Sequence, residues 1–205
     1  LALYCGRNEG NPPPELDAQL KSLVGEYHPG LRYIAHSARG EVSGYGPYRA
    51  MPPDYYFRER ALPTLHSEMG MPNMVNKESL IKMLPDTALW PQNRLWGIHD
   101  FCLKGAQGAE SFNHLIDTIF GPVVTLDEWI RLAQYVNYQG YRAMFEAQSK
   151  HRAGLLLWMS HPAWPSMVWQ TYDYYFDPTA AYFGCKKGSE PLHIQWNAYT
   201  DSIEV

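Results

Sequence analysis

The stretch LALYCGRNEGNPPP, Leu1 to Pro14, sets the pattern on which the fold of this chain depends. Leu1 to Cys5 is a short apolar run typical of a buried strand, and the glycine and prolines of 10–14 prevent that strand from continuing. Glu9 therefore lies at the carboxyl end of a predicted strand. In an α/β barrel this end carries the side chains that do chemistry. On this stretch alone, the simpler interpretation is that Asn8 and Glu9 begin an ordinary loop.

A second stretch, LPTLHSEMG at Leu62 to Gly70, shows the same pattern of an apolar run followed by a carboxylate and strand-ending residues. An apolar run again reaches a carboxylate, Glu68, and is then ended by Gly70, Pro72 and Asn73. Two strands of this kind deliver two glutamates to one rim of a barrel. Glycoside hydrolysis needs at least a pair of carboxylates, because one protonates the leaving oxygen while the other either attacks the sugar or activates water.

Composition fits one large domain, or one and a half. The chain has 205 residues, of which 45% are hydrophobic and 19% charged, so a sizeable core is available. Its formal net charge is −4 and it has no Lys/Arg cluster, which argues against a nucleic-acid or anionic-membrane partner. No apolar run approaches the ~18 to 20 residues that a membrane span needs.

Other reaction classes find little support. The cysteines Cys5, Cys102 and Cys185 are far apart and odd in number, so free thiols, buried or partly buried, are expected rather than a disulfide framework. No HExxH spacing and no GxSxG motif occurs, which disfavours a metal-dependent or serine hydrolase. We expect no metal and no cofactor.

Aromatic residues are abundant: 15 Tyr, 7 Trp and 7 Phe make up 14% of the chain. Such rings stack on sugar faces, but they also fill cores. A carbohydrate-binding protein that lacks catalysis would keep these rings and lose the glutamate pair.

Periodicity predicts alternating strands and helices. A helix is expected over Glu15–Glu26, a strand over Leu31–His36 and a short strand over Ser43–Tyr48. The segment Met71–Gly105 is irregular with short helical pieces, for example at Lys77–Leu84, and it forms either a lid or pocket wall or a packed surface excursion.

Regular structure returns in the second half of the chain. Helices are predicted over Ala109–Phe120 and, after the capping box of Thr125 and Glu128, up to about Arg152. Gly154–Met159 predicts a buried strand that ends at a polar, proline-marked rim, and a short helix is expected over Ala180–Lys187. The alternation in Pro191–Val205 is typical of a half-exposed antiparallel strand. Four or five parallel strands are half of an eight-stranded barrel.

Several longer segments resemble glycoside hydrolase family 2, in the branch of β-mannosidases, exo-β-glucosaminidases and endo-β-mannosidases. They are CGRNEGNPPP at 5–14, YGPYRAMPPDYYF at 45–57, FG..VTLDEW at 120–129 and WPSMVWQTYDYYFDPTAAYFGCKKGSEPLHIQWN at 164–197. The resemblance implies an α/β fold of the (β/α)8 TIM-barrel type, with strands 4 to 8 within residues 1–190. Residues 191–205 would begin a C-terminal immunoglobulin-like β-sandwich domain.

The resemblance also implies a mechanism and its residues. Glu9 matches the acid/base, Asn8 the partner of the substrate's 2-substituent, and Glu68 the nucleophile of a retaining β-glycosidase. Trp158 would line the sugar subsite. Tyr48 and Trp164 are further candidates for substrate binding, although packing is the simpler role of each.

One departure affects specificity. Exo-glucosaminidases of this branch place an aspartate, in a Ser-Asp context, where this chain has Asn8-Glu9. The difference favours a β-mannoside or β-galactoside over a glucosaminide.

The resemblance further predicts that the chain is a catalytic-domain fragment. Alone it would be weakly active or inactive, and its exposed barrel edges favour pairing with the missing N-terminal half or with a second copy. The expected ligand is a β-linked oligosaccharide or glycoside. Family members are often periplasmic or secreted.

Overall fold

The first part of the fold is a parallel strand–helix–strand unit. The computed structural model describes residues 3–38, 40, 42–44, 46–59, 65–101, 108–148 and 154–205. Strand β1 (Leu3–Cys5) is followed by helix α1 (Pro14–Tyr27), which begins directly after two prolines, as predicted. Strand β2 (Arg32–Ile34) returns parallel to β1, with Tyr4 opposite Tyr33. The predicted alternation of strand, helix and strand is confirmed.

A second parallel sheet contains three strands. They are β3 (Val42–Ser43), β4 (Leu65–Met69) and β5 (Gly154–Leu157), with β4 in the centre. The strand predicted over Ser43–Tyr48 therefore begins earlier and ends sooner. It ends because Gly46 takes a φ of +78° and donates its N–H to the carbonyl of Glu68 at 3.2 Å, which turns the chain across the end of β4.

These strands are less buried than their apolar sequences suggest. Cys5 is exposed, and the side chain of Leu156 is 56% exposed. The neighbours of Leu156 along the strand, Leu155 and Leu157, pack against the core. The prediction of a buried strand is therefore wrong for Leu156, which alternates with two residues that face the core.

Helices supply most of the core. After the short helices α2 (Pro53–Glu59), α3 (Lys77–Met83) and α4 (Arg94–Ile98), the chain forms α5 (Ala109–Phe120), α6 (Leu126–Gln148) and α7 (Ala180–Gly188). Helix α6 presents an apolar face to the core, including fully buried Tyr141 and Met144. Gly188 allows α7 to approach α6 closely, since a Cβ there would lie 2.8 Å from the Cβ of Phe145. The helices predicted from periodicity are confirmed, while the predicted extension of α6 to Arg152 lies outside the described residues.

The described part of the segment Met71–Gly105, residues 71–101, is packed rather than open. Its rings form an aromatic cluster with two later side chains, and the ring centroids that are in contact lie 5.5 to 6.4 Å apart. Trp96, at the centre, is only 1% exposed. These rings therefore fit the second interpretation of the segment, a packed surface excursion. The aromatic cluster consists of Trp90, Trp96, Phe101, Phe112 and Trp129.

The start of α6 gives a stability prediction. The Oγ1 atom of Thr125 accepts a hydrogen bond from the backbone N–H of Glu128 at 3.3 Å, which is half of the predicted capping box. We expect Thr125→Ala to lower the free energy of unfolding by about 1 kcal/mol, because the N–H loses its cap. Thr125→Ser, which keeps the oxygen, should change it by much less. Urea denaturation of the three proteins measures this, and equal midpoints would contradict it.

The chain ends in an antiparallel hairpin rather than the one strand predicted. Strand β6 (Gln195–Asn197) pairs with β7 (Ser202–Glu204). The hairpin is joined to α6, since Nε2 of His193 lies 2.7 Å from Oε1 of buried Glu146, and Nε2 of Gln195 donates to the carbonyl of Glu146 at 3.2 Å.

Two smaller expectations can be compared with the structure. Cys5 and Cys185 are free thiols, as expected, but Cys5 is exposed rather than buried, and Cys102 lies outside the described residues. Among the helices described, none is both long and apolar enough to cross a bilayer.

Candidate active site

The first predicted glutamate stands in a strained bend after β1. Glu9 has a φ of +47°, in the left-handed region that non-glycine residues rarely adopt, so its backbone is held against a cost of about 1 to 3 kcal/mol. Ser37, three residues beyond the end of β2, holds it there. Its Oγ accepts the backbone N–H of Glu9 at 3.0 Å and donates to Oδ1 of Asn8 at 3.1 Å. The side chain of Glu9 is half-buried, whereas Asn8 is exposed.

The second predicted glutamate lies within β4. Glu68 is half-buried, and its Oε1 accepts a hydrogen bond of 2.6 Å from the phenol of Tyr48. The same phenol oxygen lies 3.2 Å from Oε1 of Glu9. The two glutamates, far apart in sequence, therefore meet at one tyrosine.

This arrangement brings one oxygen of each carboxylate to the same donor. Each Oε1 lies within hydrogen-bond distance of the phenol oxygen of Tyr48, so the two carboxylates face each other across that phenol.

The phenol of Tyr48 stays protonated in this setting. Burial raises its pKa well above 10, and the hydrogen bond to Glu68 and the charges of Glu68 and Glu9 raise it further, because a phenolate here would face two carboxylates. Tyr48 is thus a hydrogen-bond donor throughout the pH range in which carboxylates titrate.

The ring of Tyr48 is fixed by Trp169. The two ring centroids are 5.2 Å apart, and Nε1 of Trp169 donates to the backbone carbonyl of Tyr48 at 3.2 Å. Gly70, after β4, leaves room for this packing, since a Cβ there would lie 2.9 Å from the Cβ of Trp169 and would also meet the carbonyl of Trp158.

The two predicted tryptophans occupy different places. Trp158 follows β5, where its N–H donates to the carbonyl of Met69 at 3.0 Å, so it stands beside the end of β4 with its side chain 46% exposed. Trp164 is also exposed, and its ring stacks on that of His99 in a separate turn. Burial raises the pKa of Asp100, the residue after His99. Asn8, Glu9, Tyr48, Glu68 and Trp158 are therefore grouped at the strand ends, whereas the ring contact of Trp164 is with His99.

Two residues of the site were not among the sequence-based candidates. Ser37 follows the second predicted strand directly, as Glu9 and Glu68 follow or end theirs, so the strand-end rule would have found it. Trp169 lies in the segment 164–197, which is rich in aromatic residues. Nothing in the sequence distinguishes Trp169 from the other rings, and only its contact with Tyr48 in the structure identifies it. Within the described residues, no group of three or more His, Cys, Asp or Glu side chains could hold a metal ion.

We expect Tyr48→Phe to lower kcat/KM for a cleaved glycoside by about tenfold to hundredfold. The phenol donates to a charged acceptor, and a hydrogen bond of that kind contributes about 1.5 to 3 kcal/mol. The phenylalanine keeps a ring beside Trp169, so far-UV circular dichroism, which reports the backbone, should stay unchanged. Tyr27→Phe, at an exposed position of α1, is the matched control. An unaltered kcat/KM in Tyr48→Phe would contradict the prediction.

Comparison with known proteins identifies a group of enzymes. No family model matches the chain. The chain is 30% identical to an exo-β-D-glucosaminidase of Streptomyces avermitilis over 184 residues, which cover 78% of this chain and 19% of that enzyme. It is 28% identical to a mannosylglycoprotein endo-β-mannosidase of Lilium longiflorum over an alignment that covers all of this chain and 26% of that protein.

A solved structure shows the same fold. The exo-chitosanase CsxA of Amycolatopsis orientalis superimposes with a TM-score of 0.82 at 23% identity, over 98% of this chain and 27% of that one. The chain thus spans about a fifth to a quarter of the length of the relatives that it matches. It is a homologue of the exo-β-D-glucosaminidase, β-mannosidase and endo-β-mannosidase branch of glycoside hydrolase family 2, as its sequence predicts.

Proposed function

We propose that the polypeptide carrying this chain is a retaining β-glycosidase, with Glu68 as nucleophile and Glu9 as acid/base. The observation that carries the proposal is the Tyr48 phenol, which lies within hydrogen-bond distance of both carboxylates. Paired carboxylates this close leave no room for a water molecule between an attacking base and the sugar. They suit double displacement, for which ~5 to 5.5 Å is typical.

The steps follow from the positions of the two acids. Glu68, ionised, attacks the anomeric carbon while protonated Glu9 gives its proton to the leaving oxygen. The glycosyl ester on Glu68 is then hydrolysed by water, from which Glu9 now takes a proton. Tyr48 supports the first step, because its phenol holds the attacking carboxylate in one orientation. Trp158, exposed beside the end of β4, offers a ring on which the sugar bound at Glu68 can stack.

We further propose that the chain supplies strands 4 to 8 of a (β/α)8 barrel. Strands β1 to β5 are in sequence order, and each is parallel to its partner. Although they form two sheets in the described residues, Ser67 donates from Oγ to the carbonyl of Ser37 at 2.8 Å, which links one sheet to the other. The hairpin in residues 191–205 would open a β domain that packs on α6 through His193.

The substrate class is a β-mannoside or β-galactoside. Asn8-Glu9 departs from the Ser-Asp context of exo-glucosaminidases. The lily relative, named an endo-β-mannosidase, aligns with the whole chain, which favours the mannoside.

The test is hydrolysis of aryl β-mannoside, β-galactoside, β-glucosaminide and β-glucuronide by the complete natural polypeptide that carries this sequence. Cleavage of the mannoside or galactoside, with the β-anomer as the first product seen by proton NMR, supports the proposal. Release of the α-anomer overturns the retaining mechanism. Binding of the sugars without cleavage would make the protein a carbohydrate-binding module, and cleavage of the glucosaminide alone would overturn the substrate assignment.

A further inference from the structure

Ser37 makes an unusual set of contacts for a residue outside the carboxylate pair. Its Oγ accepts from the N–H of Glu9 and donates to Oδ1 of Asn8. Its own N–H donates to the carbonyl of Arg7 at 3.2 Å, and its carbonyl accepts from Oγ of Ser67, the residue before Glu68. One serine therefore touches the chain segments of both glutamates.

In the two hydrogen bonds between the Ser37 hydroxyl and the Asn8–Glu9 bend, donor and acceptor can be assigned. Because Oγ of Ser37 accepts the N–H of Glu9, its single proton is available for Oδ1 of Asn8. The oxygen end of the Asn8 amide therefore faces Ser37, and the NH2 end is turned away as a donor. The same hydroxyl thus sets both the backbone of Glu9 and the orientation of the Asn8 amide.

The bend needs such support. A residue with the φ of Glu9 lies in a region that costs about 1 to 3 kcal/mol, and it persists only where the surroundings over-determine it. An acid that donates a proton to a leaving oxygen must also be held to within about 0.5 Å of its productive position. A shift of the Glu9 backbone would move its carboxyl group away from that position.

The packing leaves little freedom at this junction. Gly44 lies against it, and a Cβ there would come within 2.6 Å of Oγ of Ser67 and would clash with the carbonyl of Ser37. The carbonyl of Gly44 in turn lies 3.1 Å from the Tyr48 phenol. Ser37 is thereby joined to the Tyr48 side of the site as well.

We infer that Ser37 is a positioning residue for proton donation by Glu9, acting through the Asn8–Glu9 bend. The inference rests on the proposed function, because it assumes that Glu9 is the acid. It assigns Ser37 a role in breaking the glycosidic bond in addition to its part in packing the two sheets.

The dependence on the leaving group tests this role. A poor leaving group such as phenol needs the proton, whereas 2,4-dinitrophenol leaves as an anion without it. We expect Ser37→Ala, in the complete natural polypeptide, to lower kcat/KM for the phenyl β-glycoside about tenfold more than for the 2,4-dinitrophenyl β-glycoside. Ser37→Thr, which keeps the hydroxyl, should restore the ratio of the two rates to near the unmodified value.

Ser67→Ala is the matched control. It removes the bond between the two sheets but leaves both contacts of the Ser37 hydroxyl with the bend, so any loss should be the same for both substrates. Ser37→Cys keeps the volume with a weak donor and serves as a second variant should Ser37→Ala fail to fold. An equal loss on both substrates in the Ser37 variants overturns the inference, as does the same bias in Ser67→Ala.

Glu9→Gln in the same assay separates this inference from the proposed function. If Glu9→Gln shows the leaving-group bias and Ser37→Ala does not, Ser37 has no positioning role and Glu9 remains the acid. If Glu9→Gln lowers the rates for both substrates equally, Glu9 is not the acid. The proposed function and the inference about Ser37 are then both wrong.

Discussion

Glu68→Gln is expected to lower kcat for glycoside hydrolysis by about 10⁴-fold or more, whatever the leaving group. The amide keeps the size of the side chain and can still accept the hydrogen bond from Tyr48, which the glutamate holds at 2.6 Å. It lacks the negative charge needed to form the glycosyl ester. The loss should therefore appear without a change in circular dichroism.

A substrate analogue that labels the nucleophile covalently tests the role of Glu68 directly. A 2-deoxy-2-fluoro glycoside with a dinitrophenyl leaving group forms the glycosyl ester but hydrolyses slowly, because the fluorine destabilises the positively charged transition state. Mass spectrometry should find the label on the peptide that contains Glu68. Glu78→Gln, at an exposed position of α3, is the matched control and should keep full activity. A label on another carboxylate, or Glu68→Gln activity within tenfold of the unmodified protein, contradicts the assignment.

Glu9→Gln should give a different pattern. Hydrolysis of substrates with poor leaving groups should fall by about 10² to 10⁴-fold, since general acid catalysis contributes that much. Activated substrates should still form the glycosyl ester on Glu68 and then stall, because no base activates water. Stopped-flow measurements should show a burst of the released phenol followed by slow turnover.

An added nucleophile completes the test of Glu9. Azide needs no base, so it should accelerate turnover of the variant and yield a β-glycosyl azide. Glu15→Gln, exposed in the first turn of α1, is the control. A Glu9→Gln variant that does not respond to azide would leave Glu9 without this role.

Some of this arrangement follows from local rules in the sequence. Helix α5 has the limits that its periodicity predicts, and α6 begins after its predicted cap, because both signals act within a few residues. The position of Glu68 in a strand that ends at Gly70 is likewise local.

The remainder depends on contacts between distant residues. Tyr48 was a candidate for substrate binding, yet only the turn at Gly46 brings its phenol to Glu68. No local signal in an apolar run reports whether its second face is covered, so the exposure of Leu156 was not predictable. The hairpin of β6 and β7 also depends on a partner, since both strands are short and the segment is hydrogen-bonded to buried Glu146 of α6.

The aromatic cluster has a consequence for spectroscopy. Trp90, Trp96 and Trp129 have neighbouring centroids 5.5 to 6.4 Å apart, a distance at which indole transitions couple, while Trp158 and Trp164 are separately exposed to solvent. The helical layer therefore carries its own near-ultraviolet exciton signal. Soluble quenchers such as acrylamide should reach the exposed indoles of Trp158, Trp164 and Trp196 and spare the coupled three. A sugar that stacks on Trp158 can thus be followed by protection from quenching, in the same sample whose helical packing is monitored by the exciton band.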